Sequence, residues 1–219
     1  FKQYKALVMI ILYVMGIVTG IISGYMFNST IFKGNPVPFV MELPNYRFPS
    51  FKSVVMLMWD KAKDFIQRAF TVIFFATIII WFLETFDAKL NVVKDSSDSL
   101  LALIGQAISP IFKPLGFADW RVTTSLISGF TAKEAVVSTM AVLMNTSTAN
   151  LGTALSGAFS TLSALSFLVF TLLYTPCVAA VATIKRELDS RIQTVGVVIM
   201  QCMVAWLCGC AVYQIGALL

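Results

Sequence analysis

The sequence contains no histidine and few charged residues. Charged residues make up 12% of its 219 residues, whereas a soluble domain carries about 25%. Histidine is the most frequent general base, and Lys133 beside Glu134 has no convincing nucleophile partner beyond scattered serines and threonines, so we do not expect a membrane hydrolase. The four cysteines follow neither a disulfide framework nor zinc-finger spacing. A GxxxxGK[ST] loop and a basic patch with interleaved aromatics are also missing, which argues against bound nucleotide triphosphate and nucleic acid.

Hydrophobic residues dominate instead. They make up 58% of the chain, and the mean hydropathy is +0.84, which together indicate a membrane protein. A membrane-spanning helix needs about 20 predominantly apolar residues. We predict spans at residues 6–27, 69–83, 159–184 and 192–216. The second of these is short, but Arg68 and Glu84 at its ends can extend toward the interface.

Amphipathic segments lie between these spans. Ser50 is a suitable N-cap for a helix over 51–68, whose apolar residues recur at helical spacing and predict a position at the membrane interface. Residues 98–112 form a second interfacial segment, because their apolar length is too short to span. Asp119 is expected to cap another helix. Because the chain opens at Phe1 without a signal-peptide pattern, we expect a segment of a longer protein.

The distribution of positive charge predicts an unusual element at residues 121–144. Lysines and arginines are concentrated in 33–68 and 185–191, so both segments should be cytoplasmic. Five simple spans would place them on opposite sides of the membrane. The conflict disappears if 121–144 is a re-entrant or broken gate helix, which also leaves the uncharged segment 145–157 outside. The predicted fold class is all-α: a polytopic membrane protein with about four full spans, this gate element and interfacial amphipathic helices.

Lys133 and Glu134 place two opposite charges in the middle of this apolar element. A charged side chain at that depth costs about 2.5–3.5 kcal/mol on insertion scales. Adjacent residues point about 100° apart on a helix, so the two cannot pair with each other. Lys133 should reach another element, either the end of a half-helix or the carboxylates of a neighbour, which it would hold in place. Glu134 shares its face with Thr131 and Ser138, and these oxygens suit a passing divalent cation. Alternatively, each charge forms a structural salt bridge between helices.

Pro176 and Cys177 form a second feature, inside the predicted span 159–184. Proline has no N–H and clashes with the carbonyl four residues earlier, so the Leu172 carbonyl is left free and needs another partner. The Cys177 thiolate is a good ligand for a transition metal, and the Thr175 hydroxyl can support it. The alternative is a kink beside a small buried cysteine that binds no metal.

Four motifs together resemble the ferrous iron transport protein B (FeoB) family. They are KGNPVPFVMELPNYRFPS, PIFKPLGFADWR, ISGFTAKEAVVSTMAVL and YTPCVAAVATIKRE. The resemblance covers nearly the whole chain and implies the C-terminal part of a transporter membrane domain, after the first of two gate-like repeats. The candidate Fe²⁺ pathway residues are Glu134 and Cys177, with Thr131, Ser138 and Thr175 as supporting ligands, and the gate residues are Gly129, Lys133 and Pro176.

The resemblance also implies a function and partners. Family members import Fe²⁺ across the prokaryotic cell membrane as multi-pass proteins, so Fe²⁺ is the expected transported ion and no cofactor is expected on this chain. GTP and Mg²⁺ are expected on a G domain that precedes the membrane part. Further expected partners are the lipid bilayer, the N-terminal half of the same transporter, other copies of the chain and small accessory proteins.

Two alternative functions stay open at the level of sequence. One is a transporter built on a similar gate module for another substrate, such as a nucleoside. That site would need aromatic stacking and paired amide donors, for which Phe130 and Tyr174 offer little. The other is a membrane scaffold that transports nothing and uses both motifs structurally.

Overall fold

A computed structural model describes residues 4–30, 48–93, 95–174 and 177–218. Its helices are α1 (Lys5–Thr30), α2 (Phe51–Thr85), α3 (Leu100–Ile108), α4 (Trp120–Ser128), α5 (Lys133–Leu143), α6 (Leu151–Ala158), α7 (Thr161–Leu173), α8 (Val178–Leu188) and α9 (Arg191–Leu218). Short 3₁₀ helices occupy Ser96–Asp98 and Ser109–Leu115. The chain divides into two compact units, Phe1–Asp64 and Phe65–Leu219. The predicted all-α class is confirmed.

Three of the described helices, α1, α2 and α9, are long and apolar enough to cross a membrane. Two helix pairs reach that length only together: α3 and its 3₁₀ extension with α4, bent by 106°, and α7 with α8, bent by 41°. The chain is therefore a polytopic membrane protein with broken or re-entrant elements. The sharper bend precedes the predicted gate element 121–144, because Gly116 ends the 3₁₀ helix with a φ of 81° and a new helix starts after Asp119.

The predicted helix starts at Ser50 and Asp119 are confirmed. The Ser50 Oγ accepts a hydrogen bond from the Ser53 N–H at 3.3 Å, and the Asp119 carboxylate accepts one from the Arg121 N–H at 2.8 Å. Both acceptors satisfy an N–H that lacks a partner within the first helical turn. Ser160 caps α7 in the same way, by accepting from the Ser163 N–H at 3.0 Å.

Three predicted segments have different boundaries in the structure. Residues 51–68 and 69–83 form one unbroken helix, α2. Residues 98–112 divide into α3 and a 3₁₀ helix, because Pro110 has no N–H with which to continue the α-helical ladder. The uncharged segment 145–157 contains α6, whose Leu151 is 5% exposed and belongs to the hydrophobic core.

The hydrophobic core of the second unit holds α7 in place. Phe112, Phe117 and Phe170 pack with ring centroids 5.2–6.1 Å apart. On the side of α9, the Ser166 hydroxyl donates to the Gly209 carbonyl at 2.8 Å. A Cβ at Gly209 would lie 2.9 Å from the Leu115 side chain, so α9 approaches this part of the core closely at a glycine. The C-terminal end of α7 is thereby fixed where the candidate site lies.

Candidate gate site at two helix breaks

The gate motif forms two helices separated by a short break. α4 ends at Ser128 and α5 begins at Lys133. Gly129 follows α4, and a Cβ at this position would collide with the Val136 side chain and lie 2.6 Å from the Tyr174 hydroxyl oxygen. Glycine therefore allows Tyr174, from another part of the chain, to pack directly against this break.

The Pro-Cys motif contains a second break. α7 ends at Leu173 and α8 begins at Val178, with the half-buried Cys177 as its N-cap residue. Tyr174 follows α7, is 7% exposed and stacks on Phe170 with ring centroids 5.5 Å apart. Thr175 and Pro176 lie outside the described residues, so their roles stay predictions.

Lys133 connects the first break to the end of α7. Its ammonium nitrogen donates to the carbonyl oxygens of Thr171 at 3.1 Å, Leu172 at 3.3 Å and Tyr174 at 3.4 Å. It also lies 4.9 Å from the centroid of the Tyr174 ring. The cation thus occupies the negative end of the α7 dipole, where a positive charge is stabilised. The expectation that Lys133 reaches the end of a half-helix is confirmed.

The gate motif and the Pro-Cys motif complete each other's hydrogen bonding. The Leu172 carbonyl cannot receive a hydrogen bond from the nitrogen of Pro176, and Lys133 supplies its donor. In return, the first N–H of α8, that of Val178, donates to the Phe130 carbonyl at 2.9 Å. Each break therefore provides a partner for a helix end that the other break leaves incomplete.

The candidate ion ligands lie around this crossing. Glu134 is exposed in the first turn of α5, where the helix dipole favours its negative charge, and it makes no hydrogen bond or ion pair within the described ranges. Cys177 is half-buried and is the N-cap residue of α8. The hydroxyls of Thr131 and Ser138 donate to backbone carbonyls at 2.7 and 3.2 Å, which leaves their oxygen lone pairs available to a cation.

No group of three or more cysteine, aspartate or glutamate side chains that could hold a metal occurs in the part of the chain that the structure describes. No hydrogen bond or ion pair joins Glu134 and Cys177 there either. The assignment of these two residues to an ion pathway stays a prediction.

Sequence reasoning missed a contact between α2 and α4. The Ser128 hydroxyl, 1% exposed, donates to Glu84 Oε1 at 3.1 Å. The sequence interpretation treated Glu84 only as the polar end of a span. The available signal was the run of hydroxyl residues at 123–125 and 128, because hydroxyls in a membrane helix need polar partners from neighbouring elements.

The described helices define a class: a polytopic α-helical membrane protein with broken helices. The family model "Gate: Nucleoside recognition" matches residues 66–191, which include both breaks. The model "Ferrous iron transport protein B C terminus" matches residues 9–61. The chain belongs to the ferrous iron transport protein B family and corresponds to the C-terminal membrane region of its members.

Relatives with this family name occur in bacteria and archaea. The chain is 36% identical to the Fe(2+) transporter FeoB of Staphylococcus aureus strain MSSA476 over 218 residues, which cover all of the chain and 33% of that protein. It is 34% identical to the FeoB of Methanocaldococcus jannaschii, with 86% of the chain and 29% of that protein covered. The chain thus spans about a third of the length of the curated relatives it matches. No solved structure matches the chain.

Proposed function

We propose that this chain is the second gate region of a transporter that imports Fe²⁺ into the cytoplasm. The observation that carries the proposal is the mutual completion of two helix breaks by Lys133 and Phe130. Broken helices whose ends meet are a recurrent way to build ion and substrate sites at the middle of a membrane. The choice of Fe²⁺ rests on the relatives named Fe(2+) transporter FeoB.

Glu134 and Cys177 are the residues that we assign to Fe²⁺ at this gate. A carboxylate, a thiol and the hydroxyls of Thr131, Ser138 and Thr175 form a mixed ligand set that suits a transition metal better than Mg²⁺. Such a set binds the ion without enclosing it, as transport requires. Lys133 holds the end of α7 in position and keeps a second positive charge near the ion, which favours its release.

The remaining expectations concern the whole transporter. We propose that it lies in the prokaryotic inner or plasma membrane, that GTP and Mg²⁺ bind a separate G domain, and that this segment has no catalytic role. Small accessory proteins are proposed partners, because a relative in Porphyromonas gingivalis, 31% identical over 266 residues, is named a fusion of Fe(2+) transport protein A with FeoB. The N-terminal half of the transporter and other copies of the chain are the other proposed partners.

A nucleoside substrate is the second candidate, because the gate family model carries the description "Nucleoside recognition". Phe130 and Tyr174, the aromatic residues that could stack on a base, both line a cavity of about 770 Å³. The other lining residues are apolar apart from Thr123 and Cys202. A nucleobase needs several donors and acceptors in its pocket, so the lining of this cavity disfavours a nucleoside.

The proposal is tested by Fe²⁺ uptake into proteoliposomes that contain the complete transporter. The double variant Glu134→Gln with Cys177→Ser keeps both side-chain shapes and removes the carboxylate charge and the sulfur. We expect uptake to fall by at least about tenfold, as loss of metal-binding groups usually causes. Glu187→Gln is the matched control, because Glu187 is exposed at the end of α8 and pairs with the exposed Arg186 at 3.6 Å.

Normal uptake by the double variant would show that the assigned residues are wrong. Uptake of a radiolabelled nucleoside, with no uptake of Fe²⁺ by the unaltered protein, would instead support the second candidate.

A further inference from the structure

A polar cavity of about 240 Å³ lies among the ends of α2 and α3 and the helices α4 and α5. Its polar lining consists of one carboxylate and five hydroxyls: Glu84, Ser96, Ser99, Thr124, Ser138 and Thr139. Neither lysine nor arginine lines it among the described residues. The cavity therefore presents a single negative charge and several neutral oxygen atoms.

Four separate segments build this cavity. Glu84 is at the end of α2, Ser96 and Ser99 precede α3, Thr124 belongs to α4, and Ser138 and Thr139 belong to α5. The Ser128 hydroxyl fixes one oxygen of Glu84 by a hydrogen bond of 3.1 Å. The second carboxylate oxygen has no hydrogen-bond partner within the described ranges and is available to a ligand.

Thr124 adds a buried hydroxyl to this lining, where α4 packs against Gly105 of α3. Its side chain is 2% exposed, yet its hydroxyl oxygen has no hydrogen-bond partner among the described residues. A buried hydroxyl without a partner costs about 1–3 kcal/mol. The cost is removed if the oxygen coordinates a cation, because a hydroxyl retains lone pairs for that purpose.

Ser138 links this cavity to the gate. It follows Glu134 by one helical turn on the same face of α5, so the oxygens of α5 extend from the break toward Glu84. A volume of about 240 Å³ accommodates a divalent cation together with several of its waters. Carboxylate, hydroxyl and water oxygens are the ligands that such a partly hydrated cation takes.

We propose that this cavity is a binding site for a partly hydrated divalent cation, with Glu84 as its charged ligand and Thr124, Ser138 and Thr139 as neutral ones. The identity of the physiological ion rests on the proposed Fe²⁺ transport. The site would hold the ion before or after it passes Glu134 and Cys177.

The test uses Mn²⁺ as an oxygen-preferring paramagnetic probe, titrated into the complete protein in lipid nanodiscs and followed by loss of the free-ion EPR signal. Glu84→Gln preserves an acceptor for Ser128 but removes the charge, so we expect Mn²⁺ binding at this site to weaken by at least about tenfold. Glu187→Gln, which alters an exposed carboxylate outside the cavity, should bind Mn²⁺ as the unaltered protein does.

Thr124→Val gives a second test that does not depend on how Glu84→Gln folds. Valine has nearly the shape of threonine and removes a hydroxyl that makes no hydrogen bond, so Tm without ion should stay constant or rise. The increase in Tm that Mn²⁺ causes in the unaltered protein should become smaller. An unchanged Mn²⁺-dependent increase in Thr124→Val, or unchanged binding in Glu84→Gln, would overturn the proposed site.

Fe²⁺ uptake by the same variants separates this proposal from the preceding one. Normal Fe²⁺ uptake with unchanged Mn²⁺ binding in Glu84→Gln would reject the cavity site and leave the transport function intact. Absence of Fe²⁺ uptake by the unaltered protein, together with Mn²⁺ binding that depends on Glu84, would reject Fe²⁺ as the cargo and leave the site intact.

Discussion

Lys133 joins α5 to the end of α7 through contacts that a neutral side chain cannot replace. Its three acceptors are main-chain carbonyls at or just beyond the last turn of α7, where the helix has no N–H groups of its own to offer. The charged donor also makes each of these hydrogen bonds stronger than a neutral one.

Replacement of Lys133 by methionine should therefore loosen the gate. Methionine has a similar length and helix propensity, but it leaves the carbonyls of Thr171, Leu172 and Tyr174 without this donor. We expect a loss of about 1–3 kcal/mol in the free energy of unfolding, measured in mixed detergent micelles. Lys133→Arg should recover part of the loss. Lys61→Met, at an exposed position of α2, is the control and should change stability little.

Gly129 is the second residue whose identity the crossing requires. Gly129→Ala would place a methyl group against Val136 and within 2.6 Å of the Tyr174 hydroxyl oxygen. We expect a destabilisation of about 1–3 kcal/mol from this overpacking, seen as a lower Tm. Gly152→Ala in α6 provides the contrast, because nothing lies within 4 Å of a Cβ there and alanine favours a helix more than glycine does. Equal Tm changes in the two variants would contradict the close packing at Gly129.

Part of the arrangement around Lys133 could be predicted from the sequence. The direction of Lys133 away from Glu134 followed from helical geometry alone, and so did the free carbonyl of Leu172. That Lys133 satisfies the Leu172 carbonyl could not be predicted, because the two residues are 39 positions apart and meet only in the tertiary structure.

At the scale of elements, the connection between α2 and α3 is organised by Asp87. Its Oδ1 accepts the N–H groups of Lys89 and Asn91, both at 2.8 Å, and the Asp87 N–H donates to the Asn91 carbonyl at 3.0 Å. Leu90 has a φ of 61°, a left-handed conformation that this network keeps in place. The connection leads to Ser96 and Ser99, so its order affects the cavity at Glu84.

This network predicts a pH dependence outside the membrane-spanning helices. The N–H of Asn91, aided by that of Lys89, holds the pKa of Asp87 below its usual value of 3.8. A lowered folded-state pKa means that the carboxylate stabilises the turn fully above the unfolded-state value, and that this contribution is lost as the pH falls through the lower folded-state value. Hydrogen exchange at Lys89 and Asn91, corrected for the intrinsic rate at each pH, should accelerate below about pH 3.8.

Asp87→Asn is the corresponding variant. It should show faster exchange at these two amides already at neutral pH and little further change on acidification. Protection that stays the same in Asp87→Asn and at low pH would show that the carboxylate does not maintain the turn.

At the scale of the whole molecule, a break within residues 121–144 has a consequence for the side of the membrane on which the later connecting segments lie. The distribution of positive charges predicts that 185–191 is cytoplasmic and that 145–157 lies outside. In a background without the four native cysteines, Ser147→Cys should react with a membrane-impermeant maleimide applied to intact cells. Ser190→Cys should react only after permeabilisation. Labelling of both positions from one side would contradict the predicted arrangement.

Composition, hydropathy and motif order by themselves determined the class of this protein, its family and several helix starts. These properties are local: a bilayer demands long apolar helices whatever their packing, and a serine or aspartate satisfies the N–H groups of the helix that follows it. Only the tertiary structure decided that Lys133 holds the end of α7 and that Glu84 faces the hydroxyls of α4 and α5. Those pairings join distant segments, and their geometry depends on how whole helices pack against one another.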